Sequence, residues 1–350
     1  MMARLTSLRR PSMSRSRTST GFMMPEPSFR RVFHQVDIQR LESDPSLELL
    51  SERPLDPEVA ADRALLARIE VLITGWGTPM IDADMLQLLP NLRAIAHSGG
   101  TVRPVVDPVV CERGIAVSSA AAANAIPVAE YTLALIILGA KRAFWAADRV
   151  RAGKGDEELE TAWPAVGIRG RTVGIVGAST IGRLVIERLR GLELEVLLHD
   201  PTLHPVEAAE LGVQPVGLAE LVERSDILSL HAPSLPSTRG MIDRELIARM
   251  RPGTTLINTA RGDLLDQDAL AERLERGDLV ALLDVAAEEP LPLHSRLRTT
   301  PNTFLTPHIA GSIGTELGRL SAHAVDEAIA FATDGSFRRG IDQKTFALRA

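Results

Sequence analysis

The 350 residues, 37.9 kDa in all, are more than one hydrophobic core ordinarily serves, so two domains are expected and a peptide-sized module is excluded. With 45% hydrophobic and 24% charged residues the balance is that of a globular chain, and the longest apolar run, near Tyr131 to Ala140, is too short to span a bilayer, so no membrane partner is expected. The net charge of −6 is uneven: residues 1–31 hold seven Arg against the single acid Glu26, a charge of +6 that leaves −12 for the rest, and an acidic body is a poor partner for nucleic acid.

Residues 1–31 are basic, rich in Ser, Thr and Pro and without apolar periodicity, and are expected to be disordered. Arg9 and Arg10 lack the apolar stretch that an export signal needs. An organelle transit peptide and an over-extended reading frame, with Met23 or Met24 as the start, are the remaining readings, and the second is the blander. From about Arg31, short β-branched runs alternate with helical stretches, which predicts α/β architecture. Strands are expected at Val71–Thr74, Leu92–Ala96 and Gly114–Val117, followed by a helix from Ala120 to Ala143 that links two domains. A polar, acid-rich loop occupies 151–170. The βα rhythm then becomes regular, with strands at Thr172–Val176, Glu193–Leu198, Ile227–Leu230, Thr255–Asn258, Leu279–Asp284 and Thr303–Leu305 and a last helix from about Gly314 to Ala332. Cys111, the only cysteine, allows neither an intramolecular disulfide nor a thiolate-rich metal site; no metal is expected, and a reducing, cytoplasmic setting is.

The segment Val173 to Gly182 places a glycine-bearing turn between a strand and a helix, and Asp200 ends the next strand. That is a dinucleotide-binding arrangement. Gly177 permits the tight turn, Thr180 and Ile181 open the helix whose N–H groups face a pyrophosphate, and Gly182 lets helix and strand pack closely. Asp200 accepts the adenosine ribose hydroxyls and repels a 2′-phosphate, so NAD is preferred over NADP. Ser179 stands where a second glycine is expected, with a hydroxyl that can itself meet a phosphate. Three clusters near later strand ends supply a cation (Arg261), carboxylates (Asp284, Glu288, Glu289) and an imidazole (His308). Together they offer what hydride transfer at a 2-hydroxy acid needs: a fork for a carboxylate, a proton donor, and an acid that keeps the imidazole protonated. Taken singly, Arg261 reads equally as a surface residue, Glu289 as a solvated loop acid and His308 as a strand-end histidine bonded to backbone.

In this order the motifs resemble the D-isomer-specific 2-hydroxyacid dehydrogenase family: Asn124 to Glu130, Gly174 to Gly182, Asp200-Pro201, His231-Ala232-Pro233, Pro236 to Gly240, Met250 to Gly262, Asp284 to Leu291 and Thr306 to Gly311. The resemblance implies two Rossmann-like domains with doubly wound parallel sheets. A flavodoxin-like substrate domain is placed at 32–123 with 313–345, and an NAD-binding Rossmann domain at 124–312. It implies an NAD-dependent oxidoreductase interconverting a D-2-hydroxy acid and its 2-keto acid, working as a homodimer. Arg261 would bind the substrate carboxylate, His308 would act as acid/base, and Glu289, rather than Glu288, would support His308. Asp284 would receive the nicotinamide carboxamide; Ala232, Pro233, Thr259 and Gly311 would line the cofactor; Gly99, Gly100, Thr101 and Val102 would hold the carboxylate through backbone N–H groups. Two departures stand out besides Ser179. Thr101 sits where the family commonly has glycine, and Arg103-Pro104 where it has Asp-Asn, so Arg103 is read as a rim residue or a second anion contact. The alternative from another class is an NAD(H)-responsive, corepressor-like binding protein without turnover, against which the retention of Arg261, Glu289 and His308 argues.

Overall fold

A computed structural model describes residues 17–154, 161, 163, 166–342 and 346. The described residues fall into two compact units, one formed up to Ala120 together with those from Leu320 onward, the other formed by Ala121–Arg319.

The first unit is built on five strands: β1 (Thr18–Met23), β2 (Leu47–Pro54), β3 (Val71–Thr74), β4 (Ala94–His97) and β5 (Ala116–Ser119). They pair in parallel in the order β2-β1-β3-β4-β5, the flavodoxin-like winding, which reverses direction between β1 and β3. This corrects the expectation of disorder for 17–31. Every residue of β1 is buried although four of its six are Thr, Ser, Thr and Gly. Such a strand is stable because its hydroxyls find acceptors in the next strand region: Ser19 Oγ donates to the Arg68 carbonyl at 2.5 Å and Thr20 Oγ1 to the Val71 carbonyl at 2.9 Å. Helix Glu26–Val32 follows at once, and Phe29 and Phe33 pack on Phe22 of β1 with ring centroids 5.0 and 5.1 Å away. Met23 is therefore the buried end of an interior strand, and a chain begun there would lack that strand. Residues 1–16, with the other expectations made for them, lie outside the described residues, as does the acid cluster at 155–160.

The second unit carries β6 (Arg171–Val176), β7 (Leu194–His199), β8 (Gln214–Pro215), β9 (Ile227–Leu230), β10 (Thr255–Asn258), β11 (Val280–Leu283) and β12 (Thr303–Leu305). All pairs are parallel and the order is β12-β11-β10-β9-β6-β7-β8. Counted from β6, that is the dinucleotide-binding order with one strand added, and the winding reverses between β6 and β9. The sheet is apolar where it is covered, as continuous runs such as Val280–Leu283 require of a strand buried on both faces.

The expected helix Ala120–Ala143 ends at Ala140 and a second helix, Ala143–Arg151, begins after Arg142, whose backbone is left-handed at φ 54°. Buried Arg142 donates to Thr255 Oγ1 and to the Gly253 carbonyl, tying the break to β10. At twenty residues, Ala121–Ala140 is long and apolar enough, by length and composition, to cross a membrane; the ten-residue run seen in sequence understates it. Its Ala129, Leu135 and Ile136 join Ile175, Ile257 and Leu282 of the sheet in one core, so it is a core helix of this unit.

Candidate active site

At the end of β6 the backbone of Gly177 takes φ +98°, and a Cβ there would lie 2.8 Å from the Ala232 nitrogen. Only glycine fits, and the turn so formed leads into helix Thr180–Leu189. Ser179 caps that helix, its Oγ accepting from the Gly182 N–H at 3.2 Å. The missing second glycine is thus an N-cap. It occupies one first-turn donor and leaves the Thr180 and Ile181 N–H groups for an anion. Asp200, just beyond β7, accepts from the Ala178 N–H at 2.7 Å and from the Thr202 N–H and hydroxyl at 2.8 and 2.7 Å. Burial pushes its carboxyl up, but these hydrogen bonds from Thr202 and Ala178 outweigh it and hold it below the usual carboxylate range. A glycine cradle closed to any Cβ, two open helical N–H groups and a charged carboxylate at the neighbouring strand end fit a dinucleotide.

Ala232 is buried against Gly177, while Pro233 is exposed. His231, wholly buried, bonds Ser229 Oγ through Nε2 at 2.9 Å, and desolvation lowers its pKa to about 3. It is a neutral packing residue beneath the turn. Thr259 is also buried, its hydroxyl 2.8 Å from that of Thr132.

The segments after β11 and β12 bring Glu289 and His308 together, with Glu289 Oε2 2.7 Å from His308 Nδ1. Glu289 Oε1 accepts from the Ala286 N–H at 3.1 Å, which fixes the carboxylate; no contact of this kind is found for Glu288 among the described residues. Because a carboxylate only accepts, Nδ1 carries the proton and Nε2 is the atom left to exchange one. His308 itself has a left-handed backbone at φ 56°, an uncommon state for a side chain of this size. Buried Asp284 holds it there: the carbonyl accepts from the His308 N–H at 2.9 Å, Oδ1 accepts from the Ile309 N–H and Oδ2 from the Ala310 N–H, both at 2.8 Å, and Oδ1 also accepts from Thr306 Oγ1 at 2.6 Å. Tyr131 Oη lies 3.1 Å from Thr306 Oγ1 and extends the chain. With three internal donors on its carboxylate, Asp284 is first of all the clamp of the His308 turn.

Arg261 follows β10 and is exposed, its Nη1 donating to the Ala260 carbonyl at 2.6 Å. It makes no hydrogen bond or ion pair with Glu289 or His308 among the described residues, but its turn abuts the one that carries Glu289, since a Cβ on Gly262 would fall 1.9 Å from the Ala286 carbonyl carbon. Asn124, which sequence reading placed in a motif without a role, accepts from the Ser312 N–H at 2.8 Å and abuts Gly311. Its place at the head of the Asn124–Glu130 motif is the signal the sequence carries for it.

In the first unit, Gly99, Gly100, Thr101 and Val102 follow β4 as a loop. None of their four N–H groups donates to a described residue, and Val102 is buried. Consecutive N–H groups without internal partners can receive an anion where the backbone turns them to one side. Arg103 is exposed on the rim of the loop.

Residues 133–310 match the family model described as D-isomer specific 2-hydroxyacid dehydrogenase, NAD binding domain. The chain is 35% identical over 297 residues, 82% of its length and 90% of the relative's, to an (S)-sulfolactate dehydrogenase of Chromohalobacter salexigens. It is 35% identical over 258 residues, 73% of its length, to a D-3-phosphoglycerate dehydrogenase of Mycobacterium bovis, and spans about half, 48%, of that longer relative. Among solved structures, the TT0316 protein from Thermus thermophilus superposes with a TM-score of 0.73 at 29% identity, covering 93% of this chain and all of the other. The matched segment holds the cradle, Asp200, Arg261, Glu289 and His308, and the chain belongs to the D-isomer specific 2-hydroxyacid dehydrogenase family.

Proposed function

We propose that the protein is an NAD-dependent oxidoreductase that interconverts a D-2-hydroxy acid and its 2-keto acid, and the observation that carries this is the Glu289–His308 pair on the same carboxyl-terminal sheet edge as the dinucleotide cradle. NAD, which the Gly177–Gly182 turn and Asp200 would hold, would supply or accept the hydride at the substrate carbon. In reduction, His308 Nε2 gives a proton to the carbonyl oxygen; in oxidation it takes the hydroxyl proton back. Glu289 stabilises the imidazolium by accepting from Nδ1–H and keeps the ring oriented. Arg261 binds the substrate carboxylate and polarises the carbonyl; the Gly99 to Val102 N–H groups are carboxylate donors that the first unit offers by itself. Gly177, Ser179, Thr180, Ile181 and Gly182 seat the pyrophosphate. The Asp200 carboxylate accepts ribose hydroxyls and favours NAD over NADP. A cytoplasmic homodimer completes the proposal, its contact on helix Ala121–Ala140, where Leu138 is 37% exposed.

Purified protein with NADH and a panel of glyoxylate, pyruvate, hydroxypyruvate and phenylpyruvate is expected to lose absorbance at 340 nm, more slowly with NADPH. His308→Ala is expected to lower kcat by about 10²- to 10⁴-fold. Failure of folded protein to turn over any member of a broad 2-keto-acid panel overturns the assignment.

A further inference from the structure

The C-terminal end of β4 carries a buried group that the reaction above does not use. His97 is 1% exposed, and burial lowers its pKa to about 4, so the ring is neutral. Its Nδ1 lies 2.9 Å from Thr74 Oγ1 at the end of β3. Thr74 is itself fully buried, and among the described residues His97 is the partner of its hydroxyl. Two arrangements are possible. If Nδ1–H donated to Thr74, the hydroxyl hydrogen and the Nε2 lone pair would both be buried without partners. If the hydroxyl donates to Nδ1, one group alone is left, an N–H on Nε2. The second arrangement strands fewer groups and fixes the tautomer.

That Nε2–H points into the loop that follows. A Cβ on Gly99 would lie 2.4 Å from Nε2, so the ring sits directly beneath the Gly99 backbone and a side chain there would have to displace it. Nε2 has no partner in hydrogen-bond geometry, while the Thr101 backbone lies near enough to favour the protonated ring. The carbonyl of Gly99 is already taken by the Ala120 N–H at 3.0 Å. Ser98, between the two, is locked by its N–H and hydroxyl onto the Thr74 carbonyl at 2.8 and 2.9 Å.

We propose that His97 is a positioning residue of the 98–102 loop, its Nε2–H taking the Thr101 carbonyl inward when the loop turns its N–H groups outward onto the carboxylate of a 2-oxo acid. A buried donor left unpaired is unfavourable in the free protein, and the ligand-bound loop relieves it. The carboxylate thus gains a preorganised set of backbone donors without any charged side chain from this unit. The proposal rests on the proposed function for the identity of the anion, and on the structure alone for the tautomer.

The test has two readouts. Nitrogen-15 NMR of the imidazole reports the tautomer of His97 in the full-length protein, alone and with NADH and oxalate as the carboxylate probe. An Nε2–H signal that shifts on oxalate addition is expected; an Nδ1–H tautomer, or an Nε2–H signal indifferent to oxalate, overturns the proposal. Kinetics supply the second: His97→Phe and Thr74→Val are expected to raise KM for the 2-oxo acid roughly three- to tenfold, with kcat changing less than twofold and KM for NADH unchanged, and Thr74→Ser to restore it. An unchanged KM for the 2-oxo acid in a folded Thr74→Val overturns the proposal even if His97→Phe fails to fold. If wild-type protein turns over no 2-oxo acid, the proposed function fails instead, and His97 is then decided by the oxalate-dependent signal.

Discussion

The two parallel sheets reach the same architecture with opposite chemistry. In the second unit the central strand β6 is apolar through its buried stretch, with Val173, Ile175 and Val176, and charged groups are confined to strand ends. In the first unit β1, paired on both sides, is buried throughout yet begins Thr18, Ser19, Thr20, Gly21, and the ends of β3 and β4 carry Thr74, His97 and Ser98 in place of charges. The difference teaches that a strand is admitted to a core by the partners its polar atoms find, and partners belong to the fold. The largest effect expected from this comparison is on β1. A chain begun at Met24 lacks a strand that pairs with both β2 and β3, and hydrogen exchange in β2 to β5 is expected to rise to the unfolded rate. Native protection in that shorter chain would break the comparison, since β1 would then be an ornament.

The same contrast explains what could be read in advance. Ile227–Leu230, Thr255–Asn258 and Thr303–Leu305 are strands where the sequence predicts them, because apolar runs bounded by turn residues have few other solutions. That Glu289 and His308 meet could be expected, because titratable residues just past strand ends in a parallel sheet lie at its ligand edge. β1 was not, since its hydroxyls look like those of a solvated tail until Arg68 and Val71 are seen to accept from them. Nor was β2, an edge strand where Ser51 is half-buried and Glu52 and Arg53 are exposed. Ser179 read as a defect of the phosphate turn because a cap is recognised only once the helix start is fixed.

A second test asks whether the strand-end charges of the second unit are working groups or scaffolding. Asp284→Ala leaves the Ile309 and Ala310 N–H groups without their acceptor, each about 1–3 kcal/mol unfavourable, and releases the left-handed turn at His308. The expected result is a fall in kcat of at least about tenfold in single-turnover reduction, with a smaller change in NADH affinity measured by fluorescence. Loss of NADH affinity with kcat intact would assign Asp284 to the cofactor and not to the turn.

The first unit does bury carboxylates, among them Asp62, whose side chain is 2% exposed and receives Arg53 at 2.6 and 2.8 Å together with the Asp56 N–H at 2.9 Å. The Arg53 hydrogen bonds lower its pKa below the usual carboxylate value, with burial opposing. A depressed folded pKa contributes stability that is complete above the unfolded value near about 4 and is lost as pH falls through the folded value. Wild type is therefore expected to lose first-unit stability steeply below about pH 4. Asp62→Asn should start about 1–3 kcal/mol less stable at pH 7 and flatten that part of the profile. An unchanged acid limb in the variant would place the acid sensitivity elsewhere.

The finest distinction lies within β1 itself. Thr20→Val keeps shape and burial and removes one hydroxyl, the donor to the Val71 carbonyl, so urea unfolding is expected to show a loss of about 1 kcal/mol. In β6 the equivalent question concerns packing, and Ile175→Ala is expected to lose about 2–5 kcal/mol through the cavity it leaves. If Thr20→Val were neutral or stabilising, the hydroxyl would be tolerated and not needed, and β1 would be held by its ladder bonds and by Phe22 and Met23 alone. Its polar character would then have to be explained outside the stability of this sheet. If the loss instead approached that of Ile175→Ala, the hydroxyl would be fixing the β1–β3 register, because its acceptor Val71 is the residue paired with Thr20 itself. The size of this one effect therefore decides whether the polar strand is a substitute for an apolar one or a device that sets which residues meet.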